Sequence, residues 1–148
     1  MAVRVTPITD ADVEAVSEFL HRELNERVPA HAWTQAIRVP WLTSGSDTTP
    51  NHGYMLVDDS SDVLGAYLGF YSEREIAGRT ERFCNLGAWC VREDQRFHSL
   101  RLLKAMLAQD GYHFTDLSPS GNVVEIDLRM GFQLLDTATV LMPNLPWP

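Results

Sequence analysis

The sequence changes character within residues 88–103, which read AWCVREDQRFHSLRLL. The apolar run that ends at Val91 is typical of a strand, and we predict this strand over Arg82–Val91. After a short charged connection, apolar residues recur at helical spacing from Leu100 onward. This second pattern predicts a helix from about His98 to Asp110.

The chain that follows completes a β-α-β crossover. A strand is predicted at Tyr112–Leu117, and the two strands of such a unit are expected to be parallel. Residues 120–132, which read SGNVVEIDLRMGF, then predict a short helix. Asn122 is expected to cap its start with Glu125 as reciprocal partner, and a glycine at position 131 is expected to end it.

The N-terminal third predicts one strand and two helices. Val3–Ile8 alternates apolar and polar residues, as a strand does. Thr9 and Asp12 have the spacing of a capping box. They precede a helical apolar stripe, which predicts a helix over Asp10–Leu24. A second helix is predicted within Pro29–Trp41.

The remaining segments predict strands and one long loop. Gly53–Asp58 and Val63–Tyr71 are expected to form a hairpin. Ser72–Glu81 is polar and contains a glycine, so it is interpreted as a loop. Phe132–Asp136 and Thr137–Met142 are expected to form a final hairpin. The order is thus β-α-α-β-β-β-α-β-α-β-β.

Length and composition limit the class of protein. The chain has 148 residues, of which 45% are hydrophobic and 22% are charged. These values predict one ordered domain spanning residues 1–148. No apolar run has the length of a membrane span, and the first residues do not resemble a signal peptide. We therefore expect a cytoplasmic protein with no membrane partner.

The net charge of −8 disfavours a nucleic-acid partner, because phosphate binding requires a basic surface. It is compatible with a cationic substrate such as an amine. The two cysteines, Cys84 and Cys90, lie in one predicted strand. Even spacing places them on the same face about 20 Å apart. They are therefore expected to be unpaired, and their spacing matches no metal motif.

Two segments resemble the GNAT superfamily of N-acyltransferases. In that family a strand ending in Val is followed by polar residues and then by Arg/Gln-x-x-Gly-x-Gly/Ala opening a helix. Val91 and Arg96 match this pattern, whereas Ser99 and Arg101 replace the two small residues. The family's later short helix ends in Gly-Phe, as Gly131-Phe132 does here.

The resemblance implies an α/β fold with a mixed, mostly antiparallel sheet of six or seven strands and about four helices. It also implies acetyl-CoA or another acyl-CoA as co-substrate, and no metal. The helix start after Arg96 then supplies backbone donors to a diphosphate. The residues implied to contact the coenzyme are Cys90, Val91, Arg96, Phe97, His98, Ser99, Leu100, Arg101, Ser120 and Asn122.

The residues that carry the chemistry depart from the family. Many members have a proton-donating tyrosine four residues before the glycine of the Gly-Phe ending, and this chain has Asp127 there. The alternative interpretation of Asp127, with no catalytic role, is a solvated helix residue. Ser118 is an alternative donor to the leaving thiolate. Glu81 is the first candidate for the base.

Two functions of different class therefore remain open. One is an acyl-CoA-dependent N-acyltransferase that acts on a small-molecule or peptide amine. The other is a GNAT-fold protein that binds a ligand or partner without turnover, which the lost glycines and tyrosine favour. A small α/β domain without a coenzyme site is a third, weaker option. A homodimer through the final hairpin and Trp147 is also considered.

Overall fold

The computed structural model describes residues 2–39 and 51–135, and the chain divides into two compact units, Met1–Ser118 and Pro119–Pro148. The first unit holds five strands and three α-helices, with short 3-10 helices at Asp10–Asp12 and Glu93–His98. In chain order these elements are β1 (Arg4–Pro7), α1 (Val13–Glu23), α2 (Ala30–Arg38), β2 (Gly53–Val57), β3 (Val63–Ile76), β4 (Arg79–Val91), α3 (Ser99–Leu107) and β5 (His113–Thr115).

The five strands form one sheet in the order β1-β2-β3-β4-β5. The first four are antiparallel neighbours, and β5 alone is parallel to its neighbour β4. The predicted β4-α3-β5 crossover with parallel strands is therefore confirmed. It places the start of α3 at the carboxyl end of β4.

Helices cover both faces of this sheet. The apolar stripe of α1 packs with α2 against side chains of β2 and β3, including Ala66 and Leu68. A Cβ added at the next residue, Gly69, would meet the end of the Met106 side chain of α3. Because successive strand residues face opposite sides, α3 lies on the other face. We call these the α1 face and the α3 face.

The start of the first helix follows its sequence signal. The Asp12 carboxylate accepts hydrogen bonds from the Thr9 backbone N–H at 2.9 Å and from the Thr9 hydroxyl at 2.6 Å. The chain first makes the 3-10 turn at Asp10–Asp12 and then enters α1. The capping box and the predicted helix are therefore confirmed.

The predicted loop at Ser72–Glu81 is wrong, because β3 and β4 continue through it as a hairpin. Only Ala77 and Gly78 form the turn, both with positive φ, as a tight two-residue hairpin turn requires. The arms are polar because both of their faces are exposed near the tip. Opposite charges pair across the strands, with Arg74 opposite Glu81. Polarity here marked an exposed hairpin and not a loop.

The second unit contains one helix, α4 (Val123–Arg129). Gly131 ends it with φ +96°, which favours glycine. The Phe132 N–H donates to the Asp127 carbonyl at 3.0 Å, and the Gly131 N–H donates to the Leu128 carbonyl at 3.2 Å. These two bonds form a Schellman motif, which is the physical basis of the Gly-Phe ending.

The other end of α4 differs from the expectation. Asn122 stands at the cap position, but its side chain makes no capping bond and its backbone is already helical. Glu125 instead pairs with Arg129 one turn later. The predicted reciprocal cap is therefore wrong, because the i,i+4 ion pair takes up the glutamate.

The predicted fold class is confirmed, with a smaller number of strands. The described residues contain a mixed, mostly antiparallel sheet of five strands and four α-helices, where six or seven strands were expected. Residues 132–135 form no strand, and the rest of the predicted final hairpin, with Trp147, lies outside the described residues. Within residues 2–39 and 51–135, no helix has the length and apolarity needed to cross a membrane.

Candidate functional site

β4 and β5 run together for a short distance and then separate. Their ladder consists of three rungs, from Phe83 opposite His113 to Asn85 opposite Thr115. β4 continues through Leu86–Val91, where no described strand of the first unit pairs on the β5 side. The parallel pair therefore opens toward the start of α3. We call its last rung, Asn85 with Thr115, the apex of the gap.

A β-bulge lies just above this apex. Trp89 pairs with Tyr67 and Gly87 pairs with Leu68, so Ala88 is an extra residue in β4. Ala88 has φ +51°, an unfavourable conformation for a residue with a Cβ. The bulge therefore reverses which side chains of β4 face α1 and which face α3.

This reversal corrects the prediction about the cysteines. Cys84 lies beside Tyr71 on the α3 face, and Cys90 packs against the α1 cluster on the other face. The even spacing predicted one face, but Ala88 adds one residue between them. Both thiols are free, as expected. Burial raises the pKa of Cys84 to about 12 and that of Cys90 to about 11.

The upper part of β4 presents backbone groups to the gap. The Arg92 N–H donates to the Leu64 carbonyl of β3 at 3.0 Å. Because backbone groups of an antiparallel strand alternate in direction, those of Val91 and Trp89 point away from β3. Their N–H and C=O groups therefore form an open edge above the bulge. Trp89 is held in place by its ring, which stacks on Tyr67 with centroids 4.7 Å apart.

The connection from β4 to α3 differs from the expected one. Residues Glu93–His98 form a 3-10 helix, whose N–H groups bond to carbonyls three residues earlier. The Ser99 N–H donates to the Arg96 carbonyl, so α3 does not begin with unpaired donors there, contrary to the expectation.

The charged side chains of this connection point in different directions. Arg92 pairs with Asp94 through two bonds of 3.0 and 2.6 Å, and this pairing holds the pKa of the Asp94 carboxyl below its usual range. Arg101 donates to the Val3 carbonyl at 2.9 Å. Val3 directly precedes β1, which lies at the other edge of the sheet from β5. The Arg101 side chain therefore does not fill the gap between β4 and β5. Its other nitrogen lies 3.1 Å from His98 Nδ1.

Arg96 is the cation best placed to meet an anion at this connection. It is exposed and makes no ion pair within the described residues. Its neighbour Phe97 is also exposed, and the Phe97 ring lies 4.1 Å from that of His98. Leu100 is exposed as well, so the predicted coenzyme contacts from Arg96 to Leu100 form one accessible surface.

The apex carries polar side chains. The Thr115 hydroxyl donates to Asn85 Oδ1 at 3.1 Å. Lower on the same face, Glu81 Oε2 lies 2.9 Å from His113 Nε2, and Arg79 lies 3.8 Å from the other oxygen of Glu81. The structure thus joins Glu81 to His113, two residues before Thr115 on β5.

The chain just beyond β5 contains the other ionisable group near the apex. Asp116 follows Thr115 directly, and burial raises the pKa of its carboxyl. The Ser118 N–H donates to Asp116 Oδ1 at 3.1 Å, while the Ser118 side chain is exposed. The Ser118 backbone is therefore positioned by an acidic side chain that the sequence did not indicate.

The predicted residues of the second unit lie near or on α4. Ser120 is exposed, and its carbonyl accepts a bond from the Val123 N–H at 2.9 Å. Asn122 is also exposed. Asp127 retains only 5% of its exposed surface, so the interpretation as a solvated helix residue is wrong. Helix periodicity within a short segment did not reveal this burial.

Sequence reasoning missed three residues around the apex: Asn85, His113 and Asp116. All three lie on or next to predicted strands. Their significance depends on where β5 stops pairing with β4, and no local pattern marks that rung. No cluster of three metal-ligating side chains occurs in the described ranges.

No protein-family model matches the chain, and no curated protein sequence does. Solved structures do match. An acetyltransferase from Trypanosoma brucei superposes with a TM-score of 0.64 at 12% identity, over 96% of this chain and 100% of its own. The chain has the GNAT fold.

Two further structures with this fold are enzymes of stated activity. Glucosamine-6-phosphate N-acetyltransferase from Arabidopsis thaliana has a TM-score of 0.62 at 8% identity, covering 98% of this chain and 99% of its own. An aminoglycoside N-acetyltransferase solved in complex with CoA has a TM-score of 0.59 at 12% identity, covering 97% and 96%. At these identities the likeness establishes the GNAT fold alone.

Proposed function

We propose that the protein is an acyl-CoA-dependent N-acyltransferase, which transfers an acetyl group from acetyl-CoA to an amine. The observation that carries this proposal is the open backbone edge of Trp89 and Val91 above the bulge. An extended amide-containing chain, such as the pantetheine arm, can pair with such an edge as an added strand. This mode of binding does not depend on side chains, so the altered motif residues do not abolish it.

The diphosphate of the coenzyme is proposed to lie at the connection between β4 and α3. Arg96 supplies a free positive charge there, and the side chains of His98 and Ser99 are polar. Close contact with backbone N–H groups requires the 3-10 turn at Glu93–His98 to exchange its internal bonds for bonds to phosphate. We propose Ser120 and Asn122 of the second unit as further coenzyme contacts.

The proposed reaction is direct transfer. The lone pair of a neutral amine attacks the thioester carbon, the C–N bond forms, and the C–S bond breaks to release the thiolate of CoA. The amine loses one proton, for which we propose the Glu81–His113 pair, and the thiolate gains one. Ser118 and Asp127 are our candidates for supplying that proton.

Two observations support an amine acceptor. The structural neighbours with stated substrates acetylate an amino sugar phosphate and aminoglycosides. The net charge of −8 attracts cationic molecules over long range. A small-molecule or peptide amine, acetylated by a single-domain enzyme in the cytoplasm, is the resulting proposal, and a homodimer is compatible with it.

A non-catalytic binding protein is the second candidate, and one observation favours it. The Ser99 N–H already donates to the Arg96 carbonyl, so the diphosphate site is not preformed. A protein that no longer turns over acyl-CoA has no need of an open site. Such a protein can still use the gap between β4 and β5 to hold a ligand.

Thermal unfolding with CoA and acetyl-CoA tests the coenzyme site. At a ligand concentration 100 times Kd, binding stabilises the fold by about 2.7 kcal/mol. For a chain of this size, that raises Tm by roughly 5–10 °C. We expect such a rise with both ligands at millimolar concentration. No rise with either ligand would contradict the coenzyme site.

Release of free thiol from acetyl-CoA separates the two candidates. The acceptors are a panel of amines comprising spermidine, tyramine, glucosamine 6-phosphate, kanamycin and a lysine-containing peptide. Turnover that depends on one amine supports the enzyme. A thermal shift with no thiol release above the rate without amine supports the binding protein.

A further inference from the structure

The last rung between β4 and β5 is formed by two polar side chains that bond to each other. The Thr115 hydroxyl donates to Asn85 Oδ1 at 3.1 Å, and both residues are half-buried. This bond turns the amide nitrogen of Asn85 away from Thr115. Within the described ranges, no residue accepts a hydrogen bond from that nitrogen, so Asn85 retains two available N–H donors.

Asn85 lies directly below the bulge at Gly87 and Ala88. At about 3.3 Å per residue, it is within roughly 7 Å of Gly87 along the strand. The residue of β3 that pairs with Asn85 is Phe70. A Cβ added at Gly87 would lie 3.0 Å from the Phe70 ring. The surroundings of the amide on this face are therefore aromatic as well as polar.

We propose that Asn85, held in orientation by Thr115, donates a hydrogen bond to the carbonyl oxygen of the thioester-bound acyl group. The inference rests on the proposed function and extends it to a specific residue. An extended chain paired with Val91 and Trp89 ends beside the bulge, within reach of the Asn85 side chain. An amide N–H needs an oxygen acceptor, and the acyl group supplies one at its end.

The donor acts on the charge that develops in the reaction. As the C–N bond forms, the π electron pair of the carbonyl moves onto oxygen, which becomes negative. The carbonyl reforms when the C–S bond breaks and the electron pair leaves with sulfur. A donor directed at this oxygen therefore stabilises the transition state more than the bound substrate.

The competing explanation is that Asn85 and Thr115 only tie two strands together. Asn85→Asp distinguishes the two roles, because aspartate has the same shape and still accepts the Thr115 hydroxyl. It has no N–H to donate. A structural tie survives this substitution, whereas donation to an acyl oxygen does not.

Calorimetric titration with CoA and with acetyl-CoA provides the test without any acceptor amine. We expect the wild-type protein to bind acetyl-CoA roughly three- to tenfold more tightly than CoA, which is the value of one hydrogen bond. Asn85→Asp and Asn85→Ala should remove this preference and leave the CoA affinity within about twofold. Retained CoA binding shows that each variant is folded.

Thr115→Val tests the orienting role, and Thr80→Val is its matched control. Thr115→Val should reduce the preference for acetyl-CoA, since the amide is no longer held. Thr80 is an exposed residue of the hairpin arm, so its replacement should leave the preference unchanged. If an amine supports turnover, Asn85→Ala should lower kcat about 100-fold, as loss of an oxyanion donor does.

The outcomes separate this inference from the proposed function. Equal affinity of the wild-type protein for the two ligands overturns the role of Asn85 while the coenzyme site stands. If Asn85→Asp retains the preference for acetyl-CoA, the role of Asn85 is likewise overturned and the coenzyme site stands. If the wild-type protein binds neither ligand, the proposed function and this inference are both overturned.

Discussion

The two halves of β4 differ although they belong to one strand. The lower half, Arg79–Leu86, pairs with β3, and its three rungs with β5 are joined by side-chain contacts such as that of Thr115 with Asn85. Among the described strands, the upper half, Gly87–Val91, pairs with β3 alone, and it contains the bulge. The ladder with β5 ends at Asn85, and the extra residue Ala88 then sets which side chains of the upper half face α1 and which face α3.

The difference shows that adjacent parts of one strand can have separate roles, one in stabilising the sheet and one in binding a ligand. Phe83, Cys84 and Asn85 of the lower half have paired strands on both sides, so this half stabilises the molecule. Backbone groups of Trp89 and Val91 have no described partner on their outer side, so this half is available to a ligand. Stability and function should therefore respond separately to changes in the two halves.

Deletion of Ala88 should have the largest effect, because it removes the bulge that sets the faces of the upper half. Without the extra residue, either Trp89, Cys90 and Val91 exchange faces or the pairing below the bulge shifts. We expect a loss of at least about 3 kcal/mol in the free energy of unfolding, measured with urea. Acetyl-CoA should no longer raise Tm.

Ala88→Gly is the matched control for this deletion. It keeps the residue count and relieves the positive φ, so the free energy of unfolding should stay within about 1 kcal/mol of wild type. Equal stability of the deletion and the glycine variant would show that the bulge does not set the faces of β4.

Tyr71→Phe should destabilise the part of the sheet around the lower half of β4 without changing the affinity for the ligand. The Tyr71 hydroxyl lies 2.7 Å from Asn51 Oδ1 and 2.9 Å from Gln109 Oε1 on the α3 face. Its removal leaves these partly buried groups without one partner, at a cost of about 1–3 kcal/mol. Urea unfolding should show this loss, while the Kd for acetyl-CoA is unchanged. A weakened Kd would connect the two halves.

The alkylation rates of the two thiols should differ between the two halves of β4. With pKa values raised to about 12 and about 11, both Cys84 and Cys90 are protonated at pH 8. Because the thiolate is the nucleophile, iodoacetamide should modify native Cys90 roughly 100-fold, and native Cys84 roughly 1,000-fold, more slowly than a free thiol. The rate should increase about tenfold per pH unit toward each pKa.

Mass spectrometry of the modified peptides measures each thiol separately, with the unfolded protein in urea as the control. We expect Cys90, in the upper half, to react about tenfold faster than Cys84, which follows from the difference in pKa. Faster modification of Cys84 would mean that the lower half opens more readily than the upper half.

Arg82→Gln should give the smallest effect. The Arg82 guanidinium lies 4.8 Å from the centre of the Tyr112 ring, near the start of β5. Loss of this exposed cation–π contact should lower the free energy of unfolding by about 0.5–1 kcal/mol. The thermal shift caused by acetyl-CoA should be unaltered. Arg79→Gln, at the hairpin tip, should change stability by less.

Much of the scaffold could be predicted from the sequence because it is set by local periodicity. The strands and helices around Val91 and the stop at Gly131 depend on side-chain spacing or on one backbone angle. The hairpin arms at Ser72–Glu81 could not be recognised, since exposed strands and loops are both polar. The Asn122 cap also failed, because Glu125 has a competing partner in Arg129.

The candidate site was less predictable because it depends on contacts between distant segments. Arg96 and Val91 were found from their positions in a motif. The open edge was expected only by resemblance, and the role of Asn85 was not expected at all. Its partner, Thr115, is distant in sequence, and their bond forms only because β5 lies beside β4 at this rung.

The sequence by itself determined the order of elements and the GNAT-like crossover from β4 through α3 to β5. It did so because apolar spacing, a capping box and a glycine at a helix end act within a few residues. The tertiary structure alone decided which faces the cysteines occupy, that Ser99 is not a free donor, and where β4 leaves β5. The faces of the cysteines depend on one bulged residue, the Ser99 bond depends on the 3-10 turn before α3, and the end of the β4–β5 ladder depends on contacts between distant segments. None of these features has a signature in the local apolar spacing.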